Sequence, residues 1–268
     1  MKVVFKAPEA EHGSSARERL GLVLTYEQAL EKNFGFGSLH IDKESVTGKS
    51  VATLPISMFM TFHPDHCKNG DKIKQGICDI LSSCADCDAM LIDLRTNRGG
   101  DPETVAFIMS FFIGDGSDRV HLLDMLDRND AVKDSFYTTP QKELPACTRR
   151  YGASKPIWVL TSKNTISGGE DMTNNFKAFG RALIVGQDKT TAGAANPITE
   201  IRHLCTENFG DCWTALVPNL RPAHAITGEG WEGVGIESDI VAGDGAWEHV
   251  LDTEDIARRL AVDRLLGR

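Results

Sequence analysis

The chain has 268 residues, and its 29 Lys and Arg against 38 Asp and Glu give a formal net charge of −9. That balance argues against nucleic acid or an anionic membrane as the main partner, since both reward a basic surface. No run approaches the roughly 18 apolar residues of a membrane span, and no apolar stretch follows the charge in MKVVFKAPEAEHG, so a cytoplasmic protein is expected.

In chain order, residues 15–32 (SARERLGLVLTYEQALEK) space Leu20, Val23, Leu24 and Leu30 as an amphipathic helix would, and Gly35 and Gly37 stop it. GSLHIDKES and SVATLPISMF read as two strands joined around Thr47-Gly48, with Pro55 making the second irregular or an edge strand. A helical pattern over 71–85 leads into AMLIDLR, a continuous apolar run of the kind buried on both faces of a parallel sheet. NRGGDPETVAFIMSFF then turns into a helix, with Asp101 or the Gly pair near its start and Pro102 in its first turn.

Residues 114–151 show little regular pattern and are expected to be a surface excursion with at most one short strand, over 119–123. A second strand-to-helix unit follows, in which IWVLT, a polar turn and a helix over 168–179 precede the strand RALIVGQ. ITEIRHLC and CWTALVPNL form a predicted hairpin with TENFGD as its turn, and residues 254–266 a closing helix. The whole reads as one α/β domain with a small N-terminal lead-in.

Both strand-to-helix turns lie where α/β folds build their sites, outside the carboxyl ends of strands. Ser167 precedes Gly168-Gly169-Glu170, so its hydroxyl sits at a helix N-terminus, where amide groups and the dipole favour developing negative charge. Gly99 and Gly100 can aim backbone N–H groups at a ligand and, with the Gly168 amide, make an oxyanion hole. A serine at this place is also a common N-cap, and a Gly pair after a strand a common turn.

The same residues carry a resemblance. LIDLRTNRGG with PETVAFIMSFF resembles the signature of tail-specific and tricorn-type serine peptidases, KPIWVLTSKNTISGGEDMTNNFKAFGRALIVGQ resembles their nucleophile turn and its flanking elements, and TGEGWEGVGIESDIVAG resembles a third block. KNFGF and VATLPISMF match earlier segments, so the similarity covers nearly the whole chain, and it is nearest to the branch shared with interphotoreceptor retinoid-binding protein modules. It implies a crotonase/ClpP-like spiral of ββα units, a single core domain over 1–268 with 1–50 as lead-in, and no N-terminal helical bundle. It further implies Ser167 as nucleophile, Gly168 and Gly99 as oxyanion-hole donors and Glu232 as the acid that supports the base.

The sequence departs from that pattern at the base. The histidine that related peptidases take from a preceding segment has no match, and the lysine of the tail-specific branch is replaced by a small residue near Ala192 in GQDKTTAGAANP. His224, in RPAHAITG shortly before Glu232, is the favoured substitute, with His40, His203 and Lys189 as alternatives. Seven cysteines (Cys67, Cys78, Cys84, Cys87, Cys147, Cys205 and Cys212) are an odd count, predicting free thiols, although Cys205 and Cys212 flank the hairpin turn as cross-strand neighbours or a disulfide. Cys84-Ala85-Asp86-Cys87 lacks a second ligand pair, so neither metal nor cofactor is expected.

The expected activity is hydrolysis of a peptide or related acyl bond through Ser167, with a partner chain or a second copy as a further expectation. Two rivals stand beside it. One is a non-catalytic module for a small hydrophobic, retinoid- or lipid-like ligand, and the other is a cyclase or lyase that reuses the oxyanion hole.

Overall fold

The computed structural model describes residues 3–5, 25–43, 45, 48–64, 66–67, 69–146, 148–206, 212–242 and 263. In chain order the elements are β1 (Val3–Phe5), α1 (Tyr26–Glu31), β2 (His40–Lys43), β3 (Ser50–Pro55), α2 (Gly70–Ser83), β4 (Ala89–Asp93), α3 (Pro102–Met109), β5 (His121–Asp127) and β6 (Val132–Tyr137). There follow β7 (Ile157–Thr161), α4 (Gly168–Ala178), β8 (Leu183–Gly186), β9 (Ile198–Thr206), β10 (Cys212–Pro218), β11 (Leu220–His224) and β12 (Ile240–Val241). A six-stranded sheet in the order β12-β8-β7-β4-β3-β2 is parallel except for β2, and two antiparallel three-stranded sheets, β1-β9-β10 and β11-β5-β6, accompany it.

The central parallel strands β4 and β7 are apolar except at their last residues, Asp93 and Thr161, because both faces are covered. Alternation sends Met90, Ile92, Ile157, Val159 and Ile184 into one core with Ile73, Ile77 and Leu81 of α2 and with Met172 and Phe176 of α4. Leu91, Trp158, Leu160, Val185 and Val51 point the other way into a second cluster. Because Ile92 is fully enclosed in the middle of the sheet, Ile92→Ala is expected to cost about 2–5 kcal/mol of unfolding free energy, measured by denaturant titration.

Pro55 does not mark an edge. It is the last residue of β3, inside the sheet, and β2 has ended its pairing at Thr53, so no ladder bond is asked of the missing N–H. The expected excursion over 114–151 is instead the hairpin β5–β6, to which β11 adds a third strand. Its register shifts between His121 and Leu123 and again between Met125 and Leu126, so Leu122 and Leu123 are buried side by side, while β6 is almost wholly exposed. Those bulges remove the period of two that would have revealed the strands.

The hairpin of β9 and β10 forms as expected, with Cys212 and Cys205 as Cα partners, and its turn, 207–211, lies outside the described residues. Its second strand ends at Pro218, and Leu220 begins β11 in a different sheet. Of the first helix, Tyr26–Glu31 is described, capped by Thr25, whose hydroxyl accepts the Gln28 N–H. It buries Ala29 and leaves Leu30 exposed, while Leu20, Val23 and Leu24 lie outside the described residues, as does the closing helix apart from Asp263.

Candidate active site

Two strand-to-helix corners meet at the carboxyl ends of neighbouring strands, β4 and β7. Between them run bonds from the Thr165 hydroxyl to the Leu94 carbonyl (2.8 Å), from the Ser162 hydroxyl to the Arg95 carbonyl (2.6 Å) and from the Ile166 N–H to the Asn97 carbonyl (3.2 Å). Asn97 is fully buried, donating from Nδ2 to the Ile56 carbonyl at 2.9 Å and accepting the Gly99 N–H at 2.8 Å. The corners touch so closely that a Cβ on Gly99 would stand 2.7 Å from the Ser167 Cβ.

Ser167 is half-buried at the head of α4, with φ 55° and ψ −117°. A β-carbon disfavours that conformation, and such strain persists only where the surroundings impose it. The amides around it divide cleanly. The Gly99 N–H is consumed by Asn97, whereas the Gly168 and Gly100 N–H groups have no acceptor among the described residues. A Cβ on Gly168 would lie 3.1 Å from the Gly100 nitrogen, so the two free donors are adjacent, and Gly100 is exposed where Gly99 is buried. Of the two glycines expected to offer amides, the structure therefore leaves Gly100 as the open donor of the first corner, and the Gly99 donor implied by the resemblance is taken by Asn97.

A loop over 191–196 is bonded to the second corner and to the first turn of α4. Ala192 is exposed and its N–H bonds the Thr165 carbonyl at 3.1 Å, two residues before the serine. Glu170, fully buried in the first turn of α4, fixes this loop. Its Oε1 accepts the Thr191 hydroxyl and the Gly193 N–H, both at 2.6 Å, and its Oε2 accepts the Ser167 N–H at 3.0 Å and the Ala194 N–H at 2.9 Å. Glu232 is exposed and accepts the N–H groups of Ala195 (2.7 Å) and Asn196 (2.9 Å), so it braces the same loop rather than a base.

His224 is not at the serine. It is buried on β11, its Nε2 lies 3.2 Å from Asn175 Oδ1 and its ring packs edge-on against Phe179. Asn175 follows Ser167 by eight residues, which on a helix is about 12 Å of rise. Because Nδ1 accepts the Ile226 N–H at 3.2 Å, Nε2 carries the proton and faces the Asn175 oxygen, an arrangement for a neutral ring. Burial pushes the imidazole below its ordinary range, with His121 adding to the effect.

The alternatives also stand elsewhere. His40 is exposed on the outer strand β2, and Lys189 is exposed, 3.8 Å from Glu237. The side chain of His203, on β9, is outside the described residues. Among the described residues no imidazole or ammonium group is hydrogen-bonded to Ser167. Cys67, Cys78, Cys84 and Cys87 are free and buried, and burial raises the Cys78 and Cys84 thiols to about 11.

Asn175 also donates to Asp171, at 2.8 Å to Oδ1, and Asp171 is buried within α4. Burial raises its carboxyl from 3.8 to about 7, against a smaller opposing effect of the Asn175 bond. The native state thus holds this proton to higher pH than the unfolded chain does. Its contribution is whole below the unfolded value and is lost as pH rises towards 7. Asp171→Asn removes that loss, so its stability relative to the parent should improve by about 2–3 kcal/mol between pH 5 and pH 8, as read by denaturation at both. His224, whose depressed value removes stability as pH falls below 6.5, acts on both proteins and cancels in the difference.

Residues 50–242 match peptidase family S41, which is most of the chain and includes both corners and the loop. The chain belongs to family S41. Solved structures of the same fold include the photosystem II D1 C-terminal processing protease, 16% identical over 77% of this chain and 48% of its own, with a TM-score of 0.53. Mature CPAF is 14% identical over 85% of this chain and 55% of its own, with a TM-score of 0.59. A lipoprotein from Streptococcus agalactiae is 16% identical over 89% and 74%, with a TM-score of 0.53. The chain spans about half the length of the first two. Within this S41 chain, Glu170 and Asn97 are the residues that the sequence did not single out for the work they do around Ser167. Glu170 had one visible signal, a Glu three residues after a helix-capping serine.

Proposed function

We propose that this family S41 chain is a serine peptidase acting by acyl transfer. Ser167 attacks the scissile carbonyl, the Gly168 and Gly100 N–H groups receive the oxyanion, the amine leaves, and water clears the acyl-enzyme. The observation that carries this reading is a backbone-strained serine placed directly before the first of two adjacent amides that have no acceptor among the described residues. The substrate in this reading is a peptide, its scissile carbonyl held against the Gly168 and Gly100 amides. The base is a group other than His224, His40 or Lys189, brought by another part of the protein or by a second copy of it.

A cytoplasmic setting belongs to the same proposal, supported by four free buried thiols. No described helix is long and apolar enough to cross a membrane. The test is labelling of the intact protein with a fluorophosphonate, followed by mass spectrometry of its peptides. A single adduct on Ser167 is expected, and peptide cleavage without an adduct there would reject the assignment.

A binding module for a small hydrophobic ligand draws on one observation, the lack of a base bonded to Ser167 among the described residues. The cavity of about 470 Å³ beside α3 and β6 gives it no support. Five charged side chains, among them Lys74, Glu103 and Arg119, line that cavity together with four Phe and Tyr rings, whereas sites for apolar ligands are mostly apolar with few polar groups.

A further inference from the structure

We infer that Glu170 is a positioning residue, a buried clamp that ties the backbone of Ser167 to the loop over 191–194 and so sets the aim of the nucleophile; this rests on the acyl-transfer reading above. A carboxyl group inside a core is costly unless its oxygens are satisfied. Here each oxygen accepts two donors, and the four come from two separate segments of the chain, one from Ser167 and three from Thr191, Gly193 and Ala194.

The geometry separates this role from ordinary helix capping. A capping carboxylate needs one bond, to the amide at the head of its own helix. Glu170 makes that bond with Oε2, and the same oxygen holds the Ala194 N–H, so a shift of the loop pulls on the residue whose φ is 55°. Thr191 extends the tie, since its Oγ1 donates to Glu170 and accepts the Ile236 N–H at 2.7 Å, while its own N–H bonds the Ile236 carbonyl at 3.1 Å. Loop, third sequence block and nucleophile corner are thereby one unit.

The carboxyl cannot serve as the base. Its Oε2 is occupied by the Ser167 and Ala194 amides and its Oε1 by Thr191 and Gly193, so every strong acceptor direction is used. Its effect must reach the reaction through the placement of Ser167. Exchanging one oxygen for an NH2 group sets donor against donor at two of the four contacts while keeping the volume.

The experiment compares the intact chain with Glu170→Gln, and with Thr191→Val as a milder variant that takes one donor from Glu170 and the hydroxyl acceptor from the Ile236 N–H. Fluorophosphonate labelling of Ser167 and cleavage of a fluorogenic peptide are followed, together with amide exchange at Gly193 and Ala194. In Glu170→Gln, labelling rate and kcat should fall together by about 100-fold with KM little changed, the loss expected from a small misplacement of a reacting group. Exchange at Gly193 and Ala194 should quicken, and Thr191→Val should change every readout in the same direction by less. Unchanged exchange in a folded Glu170→Gln protein overturns the clamp, whether or not the parent cleaves peptides. Loosened exchange with parental labelling overturns its link to Ser167. A parent that neither labels nor cleaves refutes the acyl-transfer reading, and the positioning role with it, leaving exchange to judge the tie between loop and helix. If Glu170→Gln fails to fold, parental kcat in Thr191→Val with quickened loop exchange overturns the proposal.

Discussion

Ser167→Ala is expected to remove peptide hydrolysis by a factor of about 10⁴–10⁶ and to abolish fluorophosphonate labelling, the range seen when the nucleophile of such a constellation is deleted. The substitution is clean because alanine keeps the Cβ that packs against Gly99, and the backbone N–H bonded to Glu170 is untouched. Stability should therefore stay close to that of the parent. Ser167→Gly separates the two effects. It is equally inactive, but a residue at φ 55° and ψ −117° holds strain of about 1–3 kcal/mol that glycine releases, so the melting temperature should rise. A Ser167→Ala protein that still cleaves peptide and still takes the label would place the chemistry elsewhere.

The corners were legible because two independent signals coincide in each, an apolar five-residue strand buried on both faces and a glycine pair or Ser-Gly-Gly directly after it. Which glycine presents its amide was not legible. That choice is made by Asn97, whose side chain turns back to take the Gly99 N–H while its other end is fixed on Ile56, forty-one residues earlier in the chain. Closeness in sequence misled for His224. It lies eight residues before Glu232, yet β11 pairs with β5 and carries the ring into a buried network along α4, away from the serine. Glu170 was hidden for the opposite reason, since three of its four partners are more than twenty residues away and its local pattern is that of any capped helix. The β5–β6 hairpin escaped because bulges and exposed polar positions erase the alternation that marks a strand.

Gly100→Ala should then be the most damaging change that leaves every polar side chain of the site in place. A Cβ on Gly100 would meet the Phe59 carbonyl oxygen at 2.1 Å, and a φ of 138° is one that side chains rarely adopt. Phe59 cannot yield easily: its N–H bonds the Gly99 carbonyl at 2.9 Å, its carbonyl accepts the Asp101 N–H at 3.0 Å, and its ring lies 3.0 Å from the Cβ position of Gly168. The corner must therefore move, taking the Gly100 amide out of line with that of Gly168. Loss of one oxyanion donor lowers kcat by about 10²–10³, and KM should change little because the donor acts on charge that develops only in the transition state. Fluorophosphonate labelling should fall in parallel, since its phosphoryl oxygen occupies the same seat. Steady-state kinetics beside a thermal melt would separate this from unfolding. A folded Gly100→Ala enzyme with parental kcat would mean that the oxyanion is held by Gly168 and some donor other than the exposed glycine of the first corner.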